Sequence, residues 1–216
     1  MKKISMFIIG MLFVMMISFS SCNGCGKKTV EPSVDTTTVE EVAPLVVENV
    51  TGTDRQYMFT NYSGDYLWFE SCIVLKDFLD EECDGTVTGI SNVFQVVEEK
   101  DNGADVYVIL AAHTADSTAY EVKHAFWVED MPMNNEDIKV TFAEAFEKIN
   151  EVNFPKPHSR HCVLRKQVGP VDANPQYIFG NTHAQLYVDA VTGEVSEDNP
   201  AFPEAQGFKM PLGEWP

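Results

Sequence analysis

Basic residues are scarce. The chain carries 15 Lys and Arg against 33 Asp and Glu, a formal net charge of −18 over 216 residues. A surface of that sign repels a phosphate backbone and argues against nucleic acid as a partner. Cations, basic peptides and basic protein faces stay open as partners. Cysteine is also sparse. Cys22, Cys25, Cys72, Cys83 and Cys162 are too few and too uneven for a disulfide-built miniprotein. Cys72 and Cys83 are close enough in sequence to pair in an oxidising compartment, and equally readable as free thiols. The chain has no phosphate-binding glycine loop and no dinucleotide fingerprint. Ser91, in Gly89-Ile90-Ser91-Asn92-Val93, lacks the second glycine of a nucleophile elbow. The long apolar run Ile4–Phe19 falls short of the ~20 residues a spanning helix needs. What is present is an apolar fraction of 44%, ordinary for a chain with a real core.

Lys2 and Lys3 precede the apolar run, and Phe19-Ser20-Ser21-Cys22 follows it. A positive start, a short apolar run, small residues and a cysteine, in that order, resemble the lipobox segment of bacterial lipoproteins. Phe19 stands where that family most often has Leu. The resemblance implies a signal peptide over 1–21, cleavage before Cys22 and lipidation of Cys22, with the acyl chains holding the chain on a membrane. Residues 22–54 carry Thr, Val, Glu and Pro without a lasting period and read as a lipidated flexible tether. Cys22-Asn23-Gly24-Cys25 spells a CxxC, but the lipobox claims the first thiol and no βαβ pattern surrounds the pair. No acidic run follows Cys22, as it often does in lipoproteins exported to the cell surface. The expected location is therefore the cell envelope, on the outer membrane facing the periplasm.

The globular region is expected over 55–216, in halves at 55–133 and 134–200 with a tail at 201–216. Leu67–Leu79 places Trp68, Cys72, Leu75 and Leu79 at helical spacing, although Cys72-Ile73-Val74-Leu75 also suits a buried strand. Asn92–Glu99, Ala104–Ala112 and Ala119–Val128 read as three antiparallel strands. In the last, Tyr120, Val122, His124, Phe126 and Val128 alternate onto one apolar face, with Glu121, Lys123 and Trp127 on the other. The spacing predicts a helix from Phe142 to Asn150, capped by Thr141 with Glu144 and ended by Pro155 and Pro157. Gly193 supplies the left-handed residue of the turn that follows Asp189.

Thr141-Phe142-Ala143-Glu144-Ala145, and later Tyr187-Val188-Asp189-Ala190-Val191-Thr192-Gly193-Glu194-Val195, resemble the PepSY and PepSY-like domains of bacterial envelope proteins. The resemblance covers about a third of the chain. It implies an α+β fold, antiparallel sheets packed against one or two helices in a PepSY-like or cystatin-like arrangement. The resemblance also implies a non-enzymatic protein that binds a protein or peptide, with some members linked to restraining envelope proteases. Separately, the outline of a possible helix followed by strands occurs twice, which leaves two similar halves open although no residue identity supports a repeat. The first half carries no matching motif, and 156–174 departs from the compact pattern.

Among chemical candidates, Pro157-His158-Ser159-Arg160-His161-Cys162 is the densest cluster. It supports an alternative reading as a metal-dependent or hydrolytic envelope enzyme. After two prolines the chain is extended, so His158 and His161 should diverge and no metal or cofactor is expected. Asp80–Gly85 resembles the first half of a calcium-binding EF-hand loop, but its twelfth position is Ser91 in place of Glu. His124 reads as a hydrogen-bonded core residue. Trp127, with Glu121 and Lys123, marks a candidate binding face. No catalytic residue is assigned, and a purely structural lipoprotein is the third reading.

Overall fold

The computed structural model describes residues 44–62, 66–101 and 103–203. The expected signal segment 1–21, the expected lipidation residue Cys22 and most of the expected C-terminal tail lie outside these. The expected arrangement of small helix-on-sheet units is overturned. The described residues form one large open antiparallel sheet of nine strands, with two α-helices.

Helix α1, Val47–Asn61, opens the described chain. It begins inside the stretch expected to be tether, and it buries Thr51 and Asp54. Strands β1 (Tyr66–Leu75), β2 (Val87–Lys100), β3 (Gly103–Thr114) and β4 (Thr118–His124) follow as an antiparallel meander. After β5 (Asp130–Met131) and a single 3-10 turn at Asn135–Asp137 comes helix α2, Phe142–Glu151. Strands β6 (His161–Gln167), β7 (Gln176–Gly180), β8 (Gln185–Asp189) and β9 (Val195–Ser196) make a second meander. The sheet order is β4-β3-β2-β1-β6-β7-β8-β9, with β5 also paired to β6. The two meanders therefore meet at an antiparallel seam, where Cys72 lies opposite Val163 and Ile73 opposite Cys162.

The helical reading of Leu67–Leu79 is corrected, because β1 is a strand. Trp68 pairs Phe94 while Glu70 pairs Val93, so Phe69 is an inserted bulge residue. The bulge puts Trp68, Ser71 and Ile73 on one face and Cys72 on the other, so the spacing of Trp68 and Cys72 marks no common face. Helix α2 forms as its capping sequence predicts. Thr141 Oγ1 accepts from Glu144 N at 3.2 Å, and Glu144 Oε2 accepts from Thr141 N at 2.8 Å.

Both helices lie on one side of the sheet. Asn92 of β2 faces α1, and Ser71, Ile73, Cys162 and Phe179 follow it through successive pairings to α2. There Phe142 and Phe146 pack their rings 6.0 and 6.4 Å from that of Phe179. The opposite side is crossed by the connection from β4 to β5, where Trp127 N donates to the Gln95 side chain at 2.9 Å. Gly193 takes φ +75° and donates its N–H to Asp189 O at 2.8 Å. Among the described residues, no helix is long and apolar enough to cross a membrane.

Candidate functional site

Among the described residues the sheet is open at the β4 end. Strand β4 pairs with β3 from Tyr107–His124 to His113–Thr118 and forms the outer strand of the sheet on that side. It is seven residues long, whereas β9 at the other end has two. Most of β4 is exposed on both faces. Val122 is 49% exposed, and the residues just beyond the strand stand further out, with Phe126 at 71% and Val128 at 78%. On the face away from the helices Glu121 and Lys123 form an ion pair at 3.2 Å.

This corrects the expected roles of several residues. The face carrying Val122, His124, Phe126 and Val128 is not core, because β4 is an edge and α1 packs over β1 and β2. His124 is exposed, with its ring tilted against Tyr107 at 4.4 Å. Trp127 lies beyond the end of the strand at His124, on the same helix-free side of the sheet as Glu121 and Lys123, where its N–H reaches Gln95. Its indole Nε1 turns toward Asp130 Oδ2 at 3.3 Å.

What holds β4 in place is a buried polar network that single-residue reasoning misses. Asp54, on the inner side of α1, is fully buried. Its carboxylate accepts from Asn92 Nδ2 at 2.7 Å and from Tyr120 OH at 2.9 Å, and it meets His113 Nε2 at 2.8 Å. His113 Nδ1 lies 3.0 Å from Thr118 Oγ1, and Asn92 Oδ1 accepts from Ser71 and Thr51. Tyr57 stacks on Tyr120 at 3.8 Å. Burial first, then the hydrogen bond to Asp54, raises the Tyr120 phenol far above its ordinary range. An acid, an imidazole and a hydroxyl in a row have the order of a nucleophile relay. The bonds of the network join α1 to β1, β2, β3 and β4, so it also acts as a clamp on the β4 end of the sheet. The sequence does carry one signal for it, since Asn92 and His113 are polar residues at inward positions of apolar strands.

A second polar cluster lies on the other side of the sheet. Arg165 Nη1 is 3.8 Å from Glu70 Oε2 and 3.6 Å from Asp130 Oδ1. Burial, and then the neighbouring charge of Asp130, push the Glu70 carboxyl up to about 7 against the pull of Arg165. Burial raises Asp130 as well. This cluster ties the β4–β5 connection down across β1 and β6.

The His158, His161 and Cys162 side chains are not brought together. His158 stacks on Phe78 at 4.1 Å. His161 and Cys162 are successive strand residues and point to opposite faces. Cys162 is fully buried, and its thiol is pushed well up by that burial. In the acidic turn, Asp80 Oδ1 accepts from Glu82 N at 2.9 Å and Asp84 Oδ1 accepts from Thr86 N at 2.8 Å, so these carboxylates serve the turn's own backbone. Cys72, Cys83 and Cys162 are free thiols. No family model matches the chain, and no curated protein or solved structure matches it either.

Proposed function

We propose that this chain is a lipid-anchored, non-enzymatic envelope protein that binds an extended segment of a partner protein by adding it as a strand beside β4. The observation that carries this reading is the seven-residue edge of β4, exposed and bordered by Val122, Phe126 and Val128. A sheet edge offers a row of backbone donors and acceptors to an incoming strand, and alternate side chains give that strand its register. The Asp54 network favours the same use, because it fixes β4 from behind and lowers the entropy lost on docking. Lys123 adds selectivity, since an edge lysine disfavours pairing with an arbitrary apolar strand. Attachment through Cys22 would keep the protein on a membrane. The reading as a metal-dependent or hydrolytic enzyme has no comparable support, because His158, His161 and Cys162 diverge.

The test is photocrosslinking in intact cells. Benzoylphenylalanine at Val122 or Phe126 should form adducts with a protein. The same group at Glu147, on the exposed face of α2, should not. Amide exchange should slow within 118–124 when the adduct-forming protein is bound. Adducts from Glu147 and silence from the β4 positions would sink the reading and favour a purely structural lipoprotein.

A further inference from the structure

We infer that the strand received by β4 is β4 of a second copy, paired antiparallel with Val122 opposite Val122 about a two-fold axis perpendicular to the sheet. This rests on the strand-addition reading above and names the occupant. The argument is one of register. In β4, Glu121 and Lys123 lie opposite Leu110 and Val108 on the helix-free face, while Tyr120, Val122 and His124 lie opposite Ala111, Ile109 and Tyr107 on the helix face.

A shift of one residue would place Glu121 opposite Val122 and turn one copy's helices to the other side of the joint sheet. Centring the axis on Glu121 sets Glu121 against Glu121, and centring it on Lys123 sets Lys123 against Lys123. Like charges directly opposite are destabilising. Centred on Val122, each Glu121 meets the other copy's Lys123, Tyr120 meets His124, and the two half-exposed Val122 side chains meet each other. Of these registers this is the one that keeps all helices on one side and opposes unlike charges. The lysine that discourages other strands is matched by an acid two residues away on its own strand. The net charge of −18 opposes association at long range, but at 0.15 M salt screening confines that repulsion to about 8 Å.

Cysteine crosslinking of the full chain at that ionic strength reads the register directly. Directly opposed residues of an antiparallel pair lie about 4.5–5.5 Å apart at Cα, within disulfide reach, whereas diagonal ones do not. Val122→Cys should therefore give a disulfide-linked dimer under mild oxidation, above the background of the unaltered chain with its own cysteines. Glu121→Cys and Lys123→Cys should each stay monomeric alone and link when mixed. In the Val122→Cys chain, Glu121→Lys or Lys123→Glu should lower linking about tenfold at limiting concentration, and the two together should restore it. Unchanged thermal melting would show that these exposed substitutions leave the fold intact. The inference is overturned if Val122→Cys does not link, if single reversals have no effect, or if the double reversal fails to rescue. If Val122→Cys stays monomeric while the photocrosslinker at 122 captures a different chain, strand addition stands and the occupant is wrong. If both fail, strand addition falls too.

Discussion

Glu70 holds a proton that a free glutamate would have released. Its folded value of about 7 lies above the ordinary 4.5, so the folded chain binds this proton more tightly than the unfolded chain does. Stability from this group is full below about pH 4.5 and is lost as pH rises to 7. Glu70→Gln keeps the shape and removes the titration. With a discount for the partly exposed side chain, the variant should gain roughly 1–2 kcal/mol over the parent between pH 5 and pH 8. Urea midpoints of both chains at the two pH values measure this, and parallel pH profiles would contradict it. Asp54→Ala should cost more, about 3–5 kcal/mol, because Asn92, His113 and Tyr120 would be left as buried groups without their acceptor. A loss under 1 kcal/mol in the same titration would mean that water replaces the carboxylate. Asn92 and His113 are visible in the sequence as polar interruptions of apolar strands. Their shared partner is not, because it lies 38 and 59 residues away on a helix that reads as tether.

At the scale of elements, what is local was legible and what is long-range was not. Helix α2 starts where Thr141 and Glu144 place it, since a capping box is a contact across three residues. The Gly193 turn is legible for the same reason. The added Cβ of a side chain there would meet ordinary contacts, the nearest being Val140 Cγ2 at 3.7 Å, so the constraint is the positive φ. Gly193→Val should therefore lower stability by roughly 1–3 kcal/mol, read from the denaturation midpoint, and an unchanged midpoint would deny that constraint. Strand β1 is ambiguous in sequence between a helix and the buried strand that the β-branched Ile73 and Val74 favour, and its one-residue bulge breaks the alternation that would have decided for the strand. Strand β4 was read with the right alternation and the wrong environment. Periodicity gives the faces of a strand, but whether anything covers them depends on where the strand lies in the sheet.

For the whole molecule, the sequence suggests separate helix-on-sheet units, and the structure joins the two meanders into one sheet through β1 and β6. Nothing local encodes that seam, since its partners lie about ninety residues apart. The proposed membrane attachment rests on Cys22, outside the described residues. Replacing Cys22 with Ala should move the protein from the membrane fraction to the soluble one and abolish labelling by fatty acid. Equal labelling of the variant would dismiss the lipobox.

The seam also sets an order of events. Synthesis runs from the N-terminus, so the first meander can pair before β6 exists, and hairpins close far faster than a loop of about ninety residues. Until residues 161–165 arrive, the inner edge of β1 from Glu70 to Val74 is a second open edge, built of Ser71, Cys72, Ile73 and Val74 and without a lysine to guard it. The finished protein hides its more adhesive edge and displays the guarded one. A chain that stalls before β6 shows both, and its fate would be decided by what reaches β1 first, its own β6 or a neighbour's strand.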